Sequence, residues 1–370
     1  MKKKIGILTF NNSNNYGAVL QAYATYKFLL DNGYEAKFIN YQNDYECKNN
    51  KLFSYRKNLS LKKNIIIFVK NTMFLSSYYS YKSFKNFIEK MPKTKKIKAN
   101  EFEKIKEFDV IVAGSDQIWN PSIYGGEIDQ NFLLNFETNA RKISYASSLG
   151  SYKISGENAQ IYYEALNKFH SVATREDFAV KELEKIGIRN VKKVCDPTML
   201  LTGERWEELI KESYKKITDE NYLVVYLMSQ YEEYQEQIKK IADFYNLKIV
   251  FVSFSNIKRK YVDYYAKGYS PFEFLSLIKN SNLVLTNSFH GTVFSLLFNK
   301  EFFNLENKKN PERVRSLLNQ LDLNTRILKE DSLEKMQLED IQKIDYKLVN
   351  KKVEEFANDS KKWFIENIGE

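Results

Sequence analysis

Short apolar, β-rich runs alternate along the chain with stretches of helical periodicity. Lys4–Phe10, Tyr34–Tyr41, Asp109–Ala113, Lys142–Ala146, His170–Thr174 and Val191–Cys195 form a first series of expected strands. Tyr222–Met228, Lys248–Phe254, Asn282–Thr286 and Glu301–Leu305 form a second. Between strands lie helical patterns such as Gly17–Asn32, with Val19, Leu20, Tyr23 and Tyr26 on one face. That helix ends before Gly33, a residue that tolerates the left-handed conformation. Such alternation builds parallel sheets covered by helices on both faces, so the expected class is α/β with two Rossmann-like domains. Pro197 and Gly203 punctuate the junction. The expected domains are 1–200, with a helical insertion at about 51–100, and 201–344. A last helix, about Asp345–Ile365 within 345–370, is expected to pack back on the first domain. Ligands of open parallel sheets bind beyond the carboxyl ends of the strands, so the strand-end turns are where chemistry is sought.

Composition narrows the picture. With 43% apolar residues among 370, the chain can bury two cores. Cys47 and Cys195 form neither a CxxC nor a Cys/His cluster. This argues against a disulfide scaffold or cysteine-ligated zinc and suits a reducing compartment. No metal site or cofactor is expected. The basic start precedes only a short apolar run, less than the roughly 7–15 residues of a signal peptide. No stretch nears the ~20 apolar residues that span a bilayer, and a cytoplasmic protein is expected. The net charge of +10 is concentrated in residues 51–100, with thirteen Lys/Arg against one acid, Glu89. That is a local basic surface and argues against a nucleic-acid partner. The segment interleaves its lysines with Phe53, Tyr55, Phe74, Tyr78, Tyr79, Phe84 and Phe87, as basic amphipathic helices on anionic membranes do. A solvated helical insertion is the plainer alternative.

Four turns and a cap could carry chemistry. In Thr286-Asn287-Ser288-Phe289-His290-Gly291-Thr292 a strand ends, a cap follows and a helix begins. The first N–H groups of a helix lack intrahelical partners and the dipole is positive there, so such a turn suits phosphate or carboxylate. Gly291 would let a ligand approach, and His290 could donate a proton near neutral pH; an ordinary capped helix is the alternative. Arg175 closes another strand and could grip a planar anion, or simply pair with Glu176 or Asp177. His170 has no companion and is expected to be structural or exposed. Gly114-Ser115-Asp116-Gln117-Ile118-Trp119-Asn120-Pro121 sets a carboxylate, an amide and an indole at a strand end, a set suited to a sugar. Asp116 could serve as base for a hydroxyl, or cap the next segment with Trp119 in the core. The polar loop Asn11–Gly17, with Asn15 and Tyr16, lacks the G-x-G-x-x-G of dinucleotide sites but could line a cleft. Ser270-Pro271-Phe272-Glu273 reads as a capping box that could still leave Glu273 near a ligand.

Together these turns resemble the polysaccharide pyruvyl transferase family. The resemblance spans roughly residues 4–320. It rests on Ile5–Gly17, the Gly17-Ala-Val-Leu-Gln21 helix start, Gly114–Pro121, Ser144–Gly150, Thr174-Arg175-Glu176-Asp177, Cys195-Asp196-Pro197-Thr198, Ser270–Phe274 and Thr286–Thr292. It implies two domains facing a cleft, as in type B glycosyltransferases (GT-B), with the acceptor on the first domain and the donor on the second. It implies transfer of pyruvyl from phosphoenolpyruvate, as a ketal, to an oligosaccharide or lipid-linked glycan destined for the cell surface. Donor-binding residues would be Arg175, Ser288, Phe289, Gly291 and Thr292, and catalytic residues His290 and Asp116. Asn15, Tyr16, Ser115, Gln117, Trp119 and Glu273 would face the acceptor. Membrane contact through 51–100, at the inner face, would fit a lipid-linked acceptor. Some members carry arginine where this chain has Ser288, so either another basic residue compensates, with Arg313 and Arg315 as candidates, or the donor differs. The rival readings are a nucleotide-sugar glycosyltransferase in the same frame and a non-catalytic membrane-surface binding protein.

Overall fold

A computed structural model describes residues 2–41, 43, 75–254, 257–307, 311–329, 338–340 and 342–369. Strands β1 (Lys4–Leu8), β2 (Glu35–Phe38), β3 (Val110–Ala113) and β4 (Arg141–Ser144) pair in parallel in the order β2-β1-β3-β4. Isolated parallel bridges, Ile143 to Ser171 and Ser147 to Thr174, extend this sheet to the pair β5 (Ala173–Thr174) and β6 (Lys192–Lys193). The second sheet comprises β7 (Tyr222–Tyr226), β8 (Lys248–Ser253), β9 (Tyr264–Lys267), β10 (Leu283–Thr286), β11 (Glu301–Leu305) and β12 (Ile327–Leu328). Its order is β12-β11-β10-β7-β8-β9, again parallel throughout. The α-helices are α1 (Tyr16–Asp31), α2 (Leu75–Glu89), α3 (Glu157–Leu166), α4 (Asp177–Lys185), α5 (Gly203–Ile210), α6 (Tyr231–Phe244), α7 (Pro271–Lys279), α8 (Phe289–Leu297), α9 (Glu312–Gln320) and α10 (Tyr346–Gly369). This is the expected α/β class with two parallel sheets.

Each run expected to be a strand contains one. The sequence pattern does not reveal β9 or β12. Only Ala266 of β9 is buried, as befits an edge strand, and β12 is two residues long. Gly33 follows α1 at φ +83, as its position predicts.

One hydrophobic cluster runs from the first sheet into the second and joins Ile7, Tyr16 and Val19 to Tyr226, Phe274 and Val293. Two further clusters cover the far faces of the sheets. At the junction, the Tyr16 ring stacks on Phe274 at 4.1 Å and 8° and donates its hydroxyl proton to the Tyr269 carbonyl at 2.8 Å. Helix α2 joins the same junction. Phe84 is fully buried 4.8 Å from Tyr16, and Phe87 packs edge-on against Phe272. Phe84 is therefore spent on the interior, which corrects the expectation that it meets a membrane, while Phe87 is half-buried against the same core. Residues 51–74 of the basic segment lie outside the described residues. No helix among the described residues is long and apolar enough to cross a membrane.

Helix α10 starts beside the second sheet, where Tyr346 lies against the Lys300 and Ser295 carbonyls, and ends on the first. There Phe364 stacks on Tyr145 at 4.2 Å and on Phe28 at 5.8 Å, and Lys3 Nζ donates to the carbonyls of Ile368 and Gly369.

Candidate active site

The carboxyl ends of the two sheets face each other. From the first sheet the ends of β3, β5 and β6 deliver Ser115 and Asp116, Arg175 and Glu176, and Asp196. From the second, the end of β10 delivers Ser288, Phe289 and His290. Ser288 is the N-cap of α8, and its hydroxyl accepts from Gly291 N at 3.4 Å. An arginine here could not supply that cap. The cap seats His290 in the first turn, 5% exposed and pointing out of its own domain.

His290 meets two elements of the first domain. Its Nδ1 rests on Gly17 at the start of α1, where an ideal Cβ would lie only 2.0 Å away. Its Nε2 lies 3.5 Å from Asp196 Oδ2. Asp196 is 1% exposed and acts as the hub. It accepts from Arg175 Nη1 at 2.6 Å, from Ser115 Oγ at 3.2 Å, and from the backbone and hydroxyl of Thr198. Burial by itself would raise the Asp196 carboxyl, but His290, Arg175 and Thr198 outweigh it and hold it well below the usual carboxylate range.

Arg175 is also 5% exposed. It lies over the Phe289 ring at 4.5 Å, and Arg313 of α9 approaches the same ring at 5.9 Å. Asp116 Oδ1 sits 3.7 Å from both guanidiniums. Burial, then the neighbouring Arg175, pushes the Arg313 guanidinium below its ordinary value. For Arg175 burial acts the same way, but Asp196, Asp116 and Glu176 outweigh it. Arg175 Nε and Nη2, Arg313 Nε and His290 Nε2 are buried with no hydrogen-bond partner among the described residues. Buried N–H groups are rarely left so. Two cations, a ring and an imidazole thus converge with donors to spare, an arrangement that can hold an anion and protonate it. The Asp116 backbone is left-handed at φ +72, unusual for a residue with a side chain and typical of functional turns. Among the described residues no group of three or more His, Cys, Asp or Glu could hold a metal ion.

The structure brings His290, Phe289, Ser288, Arg175, Asp116 and Ser115 together, but Ser115 is fully buried behind Asp196 and Arg175. Several other candidates are corrected. Tyr16 is 1% exposed in the aromatic junction. Asn15 caps α1 by accepting from Ala18 N. Trp119 is 2% exposed, and its indole N–H donates to the Phe132 carbonyl, so no sugar can lie on it. Gln117 Oε1 accepts from Asn120 Nδ2 and packs on Gly150. Glu273 accepts from Ser270 N at 2.6 Å in a complete capping box. Thr292 bonds the Ser288 carbonyl and Asn304 within the core. Gly291 is small for internal reasons, because a Cβ there would meet Thr286 Oγ1 at 2.4 Å. Arg315 pairs with Glu306 at the surface, which leaves Arg313 as the extra cation. His170 is exposed.

Two further residues of the cluster, Asp196 and Glu176, stand within the motifs of the resemblance but are given no site role there. Glu176 is fully buried and accepts from Ser148 Oγ at 2.6 Å and from Leu149 N at 3.1 Å. Burial, only partly offset by Arg175 and Ser148, pushes its carboxyl up. Glu176 stands two residues past the end of β5 and Asp196 three past the end of β6, so a strand-end position and the motif around each are the signals that point to them.

A sequence model of the family described as polysaccharide pyruvyl transferase matches residues 15–309. No curated protein matches the chain. Among solved structures it is similar to the UDP-GlcNAc 2-epimerase of Methanocaldococcus jannaschii, in complex with UDP-GlcNAc and UDP. The identity is 15% and the TM-score 0.50, over 97% of this chain and 93% of that one. It is likewise similar to the UDP-GlcNAc 2-epimerase of Neisseria meningitidis bound to UDP-GlcNAc, at 11% identity and TM-score 0.50, over 100% and 99% of the two chains. At such identities the likeness is one of fold, the GT-B-like pair of domains.

Proposed function

Because the chain belongs to the polysaccharide pyruvyl transferase family, we propose that it moves the pyruvyl group of phosphoenolpyruvate onto sugar hydroxyls of a cell-surface polysaccharide or its lipid-linked precursor, forming a ketal. The observation that carries this reading is the set of unpartnered N–H groups of Arg175 and Arg313 around Phe289, next to His290. A small polyanion with a carboxylate beside its phosphate matches two guanidiniums and a helix start. Asp116, held at 3.7 Å from each guanidinium, is far enough away to yield to it.

In the proposed chemistry, protonated His290 gives its proton to the methylene carbon of the enol phosphate. The adjacent carbon becomes an oxocarbenium-like centre, and one sugar hydroxyl adds to it and loses its proton. Phosphate then departs with its electron pair, and a second hydroxyl of the same sugar adds and loses its proton. Of the two hydroxyl protons released, one returns to His290 in place of the one given to the methylene, and the other leaves on the departing phosphate as hydrogen phosphate. A hydroxyl attacking a cationic centre becomes strongly acidic, so a carboxylate flanked by arginines, Asp116, suffices as base. Arg175 and Arg313 stabilise the carboxylate and the departing phosphate. Asp196 orients the imidazole.

The test is phosphate release from phosphoenolpyruvate in the presence of lipid-linked oligosaccharide extracts. Wild type is expected to release phosphate, and His290→Ala to lose at least ~10²-fold, the range of a positioned acid. Thermal stabilisation by UDP-sugars and none by phosphoenolpyruvate would replace this reading with the glycosyltransferase one. The commitment of Glu273 to its cap argues against that rival, which wants a free acid for a ribose.

A further inference from the structure

Arg175, Asp196 and His290 are all 5% exposed or less, so a donor reaches them only when the two domains part. The two sides of the junction resist parting unequally. On one side Tyr16, Phe274, Phe84, Phe254 and Tyr226 form an interlocked aromatic cluster with ring centroids 4.1–6.3 Å apart. Such packing has no intermediate, half-open arrangement.

The other side is polar. Ser316 Oγ, on α9, donates to Asp177 Oδ2 at 2.6 Å and accepts from Asp177 N at 3.3 Å. Lys193 Nζ bridges Asp177 at 2.7 Å and Gln320 Oε1 at 3.1 Å. The Asp177 side chain is 50% exposed, so these bonds exchange readily with water. A groove of about 400 Å³ lined by Asp177, Phe178, Arg315 and Ser316 opens beside them.

The polar contacts and the anion site are built from the same two segments. Arg175, Glu176 and Asp177 are consecutive. Arg313 and Ser316 are three apart on α9 and so share one face. Anything that draws Ser316 onto Asp177 therefore brings Arg313 to Phe289 and Asp116. Resting on the reading above that Arg313 holds the donor's anionic groups, we infer that Ser316 and Asp177 are positioning residues. Their hydrogen bonds close α9 over the site and carry Arg313 into it, and the junction opens at this edge while the Tyr16–Phe274 side acts as the hinge.

The test compares wild type, Ser316→Ala and Ser316→Thr by hydrogen–deuterium exchange of the α9 amides without ligand, and by steady-state phosphate release from phosphoenolpyruvate. Ser316→Ala is expected to speed α9 exchange and to raise KM for phosphoenolpyruvate three- to tenfold, the range one partly exposed hydrogen bond supports, with kcat within twofold. Ser316→Thr, which keeps the hydroxyl, is expected to restore both. Unchanged α9 exchange in Ser316→Ala overturns the inference, as does a wild type that turns over with the same KM as the variant. If wild type releases no phosphate while Ser316→Ala still loosens α9, the donor reading fails and the latch stands.

Discussion

An ideal Cβ on residue 17 would fall 2.0 Å from His290 Nδ1, so the first domain leaves no room for a side chain while the imidazole keeps its place. Gly17→Ala is expected to shift the ring by about an ångström. A misplacement of that size costs on the order of 10²-fold in rate, and overpacking costs about 1–3 kcal/mol of stability. Phosphate release and urea unfolding would read the two effects separately; full activity in the variant would mean that the imidazole does not act from this position. Glu176 makes a different prediction. Burial raises its carboxyl in the folded chain, so the folded state binds that proton more tightly than the unfolded one. Its contribution to stability is therefore present below the ordinary glutamate value, about 4.3, and is lost as pH rises through the raised folded value. Glu176→Gln keeps an acceptor for Ser148 and Leu149 and is expected to remove that slope. Denaturant midpoints across acidic to neutral pH would check it, and an unchanged profile would count against a raised carboxyl.

At the scale of elements, two strand-to-helix turns that look alike in sequence do different work. Both begin with a serine cap, Ser270 before α7 and Ser288 before α8. In α7 the third residue of the helix is Glu273, and it folds back on the cap, closing the turn on itself. In α8 the second residue is His290, the Ser288 N–H is met by Thr286 Oγ1 from the preceding strand instead, and the imidazole is left to meet the other domain. Glu273→Ala is accordingly expected to cost about 1 kcal/mol of stability through the cap and to leave the acceptor KM unchanged. A large rise in acceptor KM would return Glu273 to the site.

At the scale of the whole molecule, α10 ties the sheets together away from the cleft. Phe364 is fully buried between Tyr145 and Phe28, and Cys195 N donates to Ser360 Oγ at 2.9 Å, one residue before Asp196. The helix thus supports the strand end that carries the hub carboxylate. Phe364→Ala is expected to destabilise the chain by about 3–5 kcal/mol, as deletions of buried aromatics do. Denaturant unfolding would measure it, and a loss below about 1 kcal/mol would show that the strap contributes little.

The strand series, the α/β class and the turn bearing His290 were legible in the amino-acid sequence because period, caps and strand ends are local properties, set within a few residues of one another. The candidate anion turns could be found in the same way, and Arg175 and Asp116 with them. Which polar residues face the cleft was not local. Tyr16 and Trp119 have the chemistry of ligand contacts and became core, while Asp196, part of a family motif but given no role from sequence, became the hub. Arg313 entered the site from a different domain, over 130 residues beyond Arg175. Only the closing of one sheet's carboxyl edge on the other decided these roles, because burial and charge pairing depend on what arrives from the opposite side.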